Sequence, residues 1–186
     1  MVFHIYTGLL TSHPIITKTV TSGLLFGLGD VICQQLIEKK SHQGEHKHNW
    51  TRTRNFAIMG TIMGPIFHGW YGVLNQLTVS GPLRGLPKLP QTIGTMLVDQ
   101  TTFAFAANII FFCGLNVLET GQFQKGVNQG LGQFQQKWWD VMTSNWTIWP
   151  AAQMINFYFI PLQFRVLWAN GVGLAWNVVL SYLANK

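Results

Sequence analysis

The sequence predicts an all-α integral membrane protein. It reads as a single transmembrane helical domain over residues 1–186, a bundle of four or five transmembrane helices. Three observations carry that reading. Hydrophobic residues make up 48% of the chain and charged residues 10%, where a soluble domain carries about 25% charged. Gly (19), Phe (13) and Trp (8) are abundant, as they are in membrane spans and at their edges. The apolar residues also fall in runs of the ~20 residues needed to cross ~30 Å of hydrocarbon.

The first run extends from about Ile15 to Ile37. A polar segment, EKKSHQGEHKHNWTRTR, follows from Glu38 to Arg54. The second run covers about Asn55 to Val79 and ends in a Pro/Gly loop, SGPLRGLPKLP, from Ser80 to Pro90. The third covers about Ile93 to Leu118. Glu119 to Ser144 is a weaker region, rich in Gln and Gly, with Trp138-Trp139 near its end, a pair suited to the lipid–water interface. The last run, Trp146 to Tyr182, is too long for one crossing, since at ~1.5 Å per residue it would reach about 55 Å. It should break at Pro161, which removes a backbone donor and clashes with the preceding turn. Pro150 suits a first helical turn, where its missing N–H costs little. Residues 1–14 contain no Lys or Arg and show neither a secretory signal nor an Arg-rich presequence.

The balance is basic, 12 Lys and Arg against 6 Asp and Glu. The bases are scattered and form no stripe, so nucleic acid is not an expected partner. Five bases lie in the first loop and two in the second, which places the first loop on the side that retains positive charge. Cys33 and Cys113 sit in apolar runs, either as buried thiols or as a redox-responsive pair. His42, His46 and His48 read as a solvated loop. No cofactor or metal is expected, and no nucleotide-binding loop, hydrolase elbow or zinc-protease motif supports an enzyme.

The polar residues inside the runs are the most informative. In the first run Gly23 and Gly27 form a small-xxx-small pair, and Asp30 and Gln34 continue that face at helical spacing. A carboxylate at membrane depth must pair or line a wet cavity, so Asp30 is either an interhelical contact or a pore-lining group. Lys18 is expected to snorkel to the surface. In the second run Gly60 and Gly64 form another packing pair, Pro65 kinks the helix or ends its first half, and His68 is a bundle hydrogen bond or a pH sensor. In the third, Asp99 either helps cap its helix or pairs with Arg165. The Arg165 pairing is preferred, because a guanidinium fork fits a carboxylate, with Asp30 as the competing partner. Gln153 and Asn156 share one face of the last run, and Asn170, Gly173 and Asn177 another. Each helix thus offers one polar, glycine-rich seam, and such seams facing inward make either a hydrophilic interior or a locked core.

The segment WTIWPAAQMINFYFIPLQFR and the later AWNVVLSYL resemble the C-terminal signature of the Mpv-seventeen and peroxisomal membrane protein family. The matching positions are Trp146, Trp149, Pro150, Gln153, Asn156, Phe157, Pro161 and Arg165, then Trp176, Asn177, Leu180 and Ser181. GLGDVICQQL, GPIFHGWY and DQTTFAF upstream are also similar, and the PLQFR form and the Trp138-Trp139 pair resemble its fungal mitochondrial, Sym-one-like branch. The resemblance implies an organelle-membrane protein, in the mitochondrial inner membrane or, alternatively, the peroxisomal membrane. It further implies a weakly selective channel for small solutes or metabolites, linked to stress tolerance, mitochondrial DNA maintenance and metabolic balance. A non-conducting scaffold is the alternative function. The expected partners are the lipid bilayer, small solutes and further copies of the chain in a homo-oligomer.

Overall fold

A computed structural model describes residues 2–38 and 47–185, with side chains described for 4–35, 38 and 47–176. The described residues are helical almost throughout and include no strand. Helix α1 (Val2–Ser12) was not expected from the sequence. It meets α2 (Pro14–Ile32) at His13, whose N–H still reaches the Leu9 carbonyl at 2.8 Å. Pro14 opens α2 in the first-turn position that tolerates proline, and a wider π turn, Cys33–Glu38, ends it.

Helix α3 (Trp50–Val79) begins five residues before the apolar run, because Asn49 caps it by accepting the Arg52 N–H at 3.0 Å. Pro65 lies inside α3 and does not end it. Helix α4 runs from Lys88 to Thr120 through a π turn at Asp99–Phe103, and stops at Gly121 in the left-handed conformation (φ 65°).

Helix α5 (Phe123–Phe159) joins two segments that the sequence separates. The Gln-rich region and the start of the final apolar run form one helix of 37 residues, about 55 Å long. Pro150 therefore lies in its interior and not in a first turn. The break at Pro161 falls where it was expected: α5 stops at Ile160, a single 3₁₀ turn covers Leu162–Phe164, and α6 (Arg165–Asn185) follows.

Among the described residues, two helices are both long and apolar enough to cross a membrane, Pro14–Gln35 with mean hydropathy 1.4 and Lys88–Thr120 with 1.7. The polarity of α2 is inverted relative to a soluble helix. Ile16, Val20, Leu24 and Leu28 form an exposed stripe at i, i+4 spacing, while Lys18, Ser22, Asp30 and Gln34 are buried. Aliphatic groups outside and small or polar groups inside are what lipid selects.

The glycine pairs do what their spacing implies. A Cβ on Gly60 would lie 2.5 Å from the Ser22 carbonyl oxygen and 2.9 Å from Gly23 Cα, and one on Gly64 2.9 Å from Thr19 Cα. Gly27 faces Ala57. Backbones of α2 and α3 therefore touch along Gly23, Gly27, Gly60 and Gly64. The sequence reading missed a second close crossing, where Gly130 and Gly126 of α5 lie against Cys113 and Val117 of α4. Between these pairs lies an aromatic core that includes Phe26, Phe56, Phe111, Phe112, Phe134 and Trp176.

Candidate functional site

The charged residues sort into two sites. At the C-terminal end of α2, Asp30 is fully buried and pairs with Arg52 across the α2–α3 contact (Nε to Oδ1, 2.7 Å). Thr53 and Gln34 donate to Asp30 Oδ2 at 2.6 and 2.7 Å. Arg52 reaches on to Glu38 at 2.9 Å, and Gln34 Oε1 accepts the Asn49 N–H at 2.7 Å. The expected face of Asp30 and Gln34 is real, but its cation comes from a stretch, WTRTR, that reads as loop. Cys33 borders this cluster, with Sγ 3.5 Å from Glu38 Oε1. Cys113 instead donates to the Val127 carbonyl, and both cysteines are free thiols rather than a pair.

The second site forms around Asp99, at the π turn of α4. Buried positions along α4 run Thr92, Thr95, Asp99 and then Gln100, Ala104, Asn108, Phe111. Each series keeps helical spacing, and the two are offset by one residue. The π turn absorbs that residue, with the Ala104 N–H bonded back to the Asp99 carbonyl. Two consecutive side chains, Asp99 and Gln100, therefore both point inward, which a regular α-helix does not allow.

The Asp99 carboxylate is held by three donors. Trp70 Nε1 donates to Oδ1 at 2.7 Å, and Gln100 and Gln153 donate to Oδ2 at 2.8 Å each. Gln100 in turn accepts from Asn145 at 3.0 Å. Gln153 accepts from Asn156 at 2.8 Å and also lies 3.4 Å from the Tyr71 hydroxyl. The network ties α3, α4 and α5 together. Gln153 and Asn156 share a face, as expected. Trp70, Tyr71 and Asn145 were not singled out; their signal is a polar atom within an apolar helical run.

Two sequence expectations are corrected here. Arg165 does not pair with Asp99 or Asp30. It opens α6, donates to the Ile160 carbonyl at 3.3 Å and lies over the Phe157 ring at 5.3 Å. Asp99 is held by three neutral donors, and Asp30 by Arg52. Lys18 does not snorkel. It is 4% exposed and its Nζ lies 2.9 Å from His68 Nδ1, so His68 is a bundle hydrogen bond on the α2–α3 seam.

Asp99 and Gln100 line a central cavity of about 70 Å³. Tyr71, Asn108, Asn145 and Gln153 complete its polar side, and Phe26, Phe67, Phe103, Phe111, Trp149 and Trp176 its aromatic side. By volume the space accepts several waters. Asp30, His68 and Arg165 do not line it.

The remaining signature residues divide between packing and site. Trp149 and Trp176 meet edge to face at 6.5 Å. Phe157 packs on Tyr71, and Trp146, 40% exposed, on Phe105. Asn170 donates to Ser22 at 2.7 Å, joining α6 to α2. His48 bonds Thr53 at 3.0 Å and packs on Trp50. His42 and His46 lie outside the described residues, as do the side chains of Asn177, Leu180 and Ser181.

The chain is similar to known proteins over nearly its whole length. Residues 122–181, which hold α5, the Pro161 break and most of α6, match the profile of the Mpv17 / PMP22 family. The chain is 37% identical over 183 residues to the mitochondrial inner membrane protein Mpv17 of Danio rerio, covering 97% of this chain and 96% of that protein. It is 33% identical over 192 residues to protein SYM1 of Candida albicans, covering 100% and 97%. It is 35% identical over 181 residues to PXMP2/4 family protein 3 of Dictyostelium discoideum, covering 97% and 90%. No solved structure matches.

Proposed function

Because the chain belongs to the Mpv17 / PMP22 family and shares with its relatives a place in the mitochondrial inner membrane, we propose that it is a non-enzymatic, weakly selective channel for small solutes. The PXMP2/4 names among its relatives keep the peroxisomal membrane as the alternative address. One observation supports the channel reading above the rest. A buried carboxylate with no counter-ion among the described residues lines a cavity, and intramembrane charges that face cavities mark solute paths. Helices α2 to α6 each reach the ~20 residues of a crossing, so the proposed topology is five crossings. A part in metabolite balance and stress tolerance would follow from the conductance.

Purified protein in planar bilayers tests this. Protein-dependent current is expected, and Asp99→Asn should shift the reversal potential in a salt gradient. Incorporated, folded protein that passes no current overturns the proposal.

The alternative is a non-conducting scaffold, and the paired Asp30–Arg52–Glu38 cluster favours it. On that reading Asp30→Asn lowers abundance, and no variant in the bundle changes solute flux at constant protein level.

A further inference from the structure

The four amides that line the central cavity each commit an N–H to the protein. Gln100 and Gln153 donate to Asp99, Asn145 to Gln100, and Asn108 to the Ala104 carbonyl at 2.8 Å. The carboxylate and the amide oxygens give the space acceptor capacity, beside the second N–H that Gln100, Asn108 and Asn145 each retain. An ionised carboxylate offers about four lone-pair positions. On Asp99, Oδ2 accepts from two amides and Oδ1 from one indole, so one position on Oδ1 is open. Gln100 Oε1 accepts from Asn145 and keeps its second lone pair.

No protein cation balances Asp99 among the described residues. Lys18 is bonded to His68, Arg52 to Asp30 and Glu38, and Arg165 to a carbonyl and a ring. A charge left uncompensated at this depth is costly. Phe26, Phe111, Trp149 and Trp176 also line the cavity, and aromatic rings attract cations. A carboxylate without a cation beside aromatic rings favours a ligand that is both a hydrogen-bond donor and a cation. At about 70 Å³ the space suits an organic ion of roughly four or five non-hydrogen atoms.

We infer that this cavity binds a small primary alkylammonium ion, with its N–H groups on Asp99 Oδ1 and Gln100 Oε1 and its alkyl group against the aromatic rings. The inference names the class of solute held at the proposed channel's Asp99 and rests on that reading for the route by which the ion arrives. The binding itself is read without any current.

The test uses the full chain in detergent micelles, titrated with isopropylammonium chloride, 2-propanol and sodium acetate, three probes of one size that differ in charge. Calorimetry should give saturable heat, and thermal unfolding a raised midpoint, with the ammonium alone. Asp99→Asn should weaken its affinity by about tenfold or more, the loss of one charge-assisted hydrogen bond. Ala107→Leu, which fills the cavity without touching the Asp99 hydrogen bonds, should weaken it as well. Equal response to the alcohol, no saturable response to the ammonium, or unchanged affinity in Asp99→Asn overturns the site. If Asp99→Asn does not fold, unchanged affinity in Ala107→Leu overturns it alone. Current in bilayers without ammonium binding removes this site and leaves the channel; binding without current does the reverse.

Discussion

Gln153 of α5 donates to the Asp99 carboxylate of α4 at 2.8 Å, across 54 positions of sequence. Its own carbonyl accepts from Asn156, one turn further along α5. The signature pair is therefore part of the clamp that holds the carboxylate lining the cavity.

Replacing Gln153 with Leu keeps the volume and removes a donor to a buried carboxylate. A destabilisation of about 1–3 kcal/mol is expected. Asp99→Asn and Gln153→Leu should couple by about 0.5 kcal/mol or more in a double-mutant cycle of unfolding in mixed micelles. Strictly additive effects would show that the contact contributes nothing.

Arg52 and Arg165 should respond differently to the same substitution. Arg52→Gln strands the fully buried Asp30, and since the Arg52 side chain is 20% exposed, the cost should fall somewhat below the about 3–5 kcal/mol of a fully buried pair. Arg165→Gln loses a ring contact and a carbonyl bond, a cost of about 1–2 kcal/mol. Unfolding midpoints of the two variants, measured side by side, check the order. An Arg165 variant as damaged as the Arg52 variant would contradict the pairing described.

Glycine substitutions separate contact from propensity. Gly60→Ala puts a methyl group 2.5 Å from the Ser22 oxygen, a backbone atom that cannot move aside cheaply. Overpacking of this kind costs about 1–3 kcal/mol. Gly69, on the exposed face of the same helix, has nothing within 4 Å of a built Cβ. Gly69→Ala should be neutral or stabilise by up to about 1 kcal/mol through helix propensity. Thermal unfolding in detergent reads both.

Much of the bundle was legible in the chain. Apolar runs of the right length located α2, α3 and α4, and Pro161 located the break, because lipid depth and proline sterics act locally. Spacing alone found the Gly23–Gly27 and Gly60–Gly64 pairs and the Asp30–Gln34 and Gln153–Asn156 faces, but not that the two glycine pairs meet each other. Partner choice was not legible. Arg52 lies in a run of alternating Thr and Arg that looks like loop, and only the Asn49 cap brings it onto the helix facing Asp30. Arg165 was assigned to Asp99 on the premise that a buried carboxylate needs a protein cation, whereas three neutral donors hold this one. Pro150 looked like a helix start because the Gln-rich segment before it hides its apolar stripe, Phe134, Val141 and Met142. The inward turn of both Asp99 and Gln100 was invisible because it requires a π turn, which breaks the periodicity used to read faces.

That π turn makes the polar floor of the cavity a one-residue insertion. Removing a single exposed residue there, such as Thr101, would restore an unbroken α register. Thr92 and Thr95 on one side and Asn108 and Phe111 on the other would stay in phase, while Asp99 and Gln100 could no longer both face inward. The carboxylate site and the bundle that holds it are thus separable by one codon.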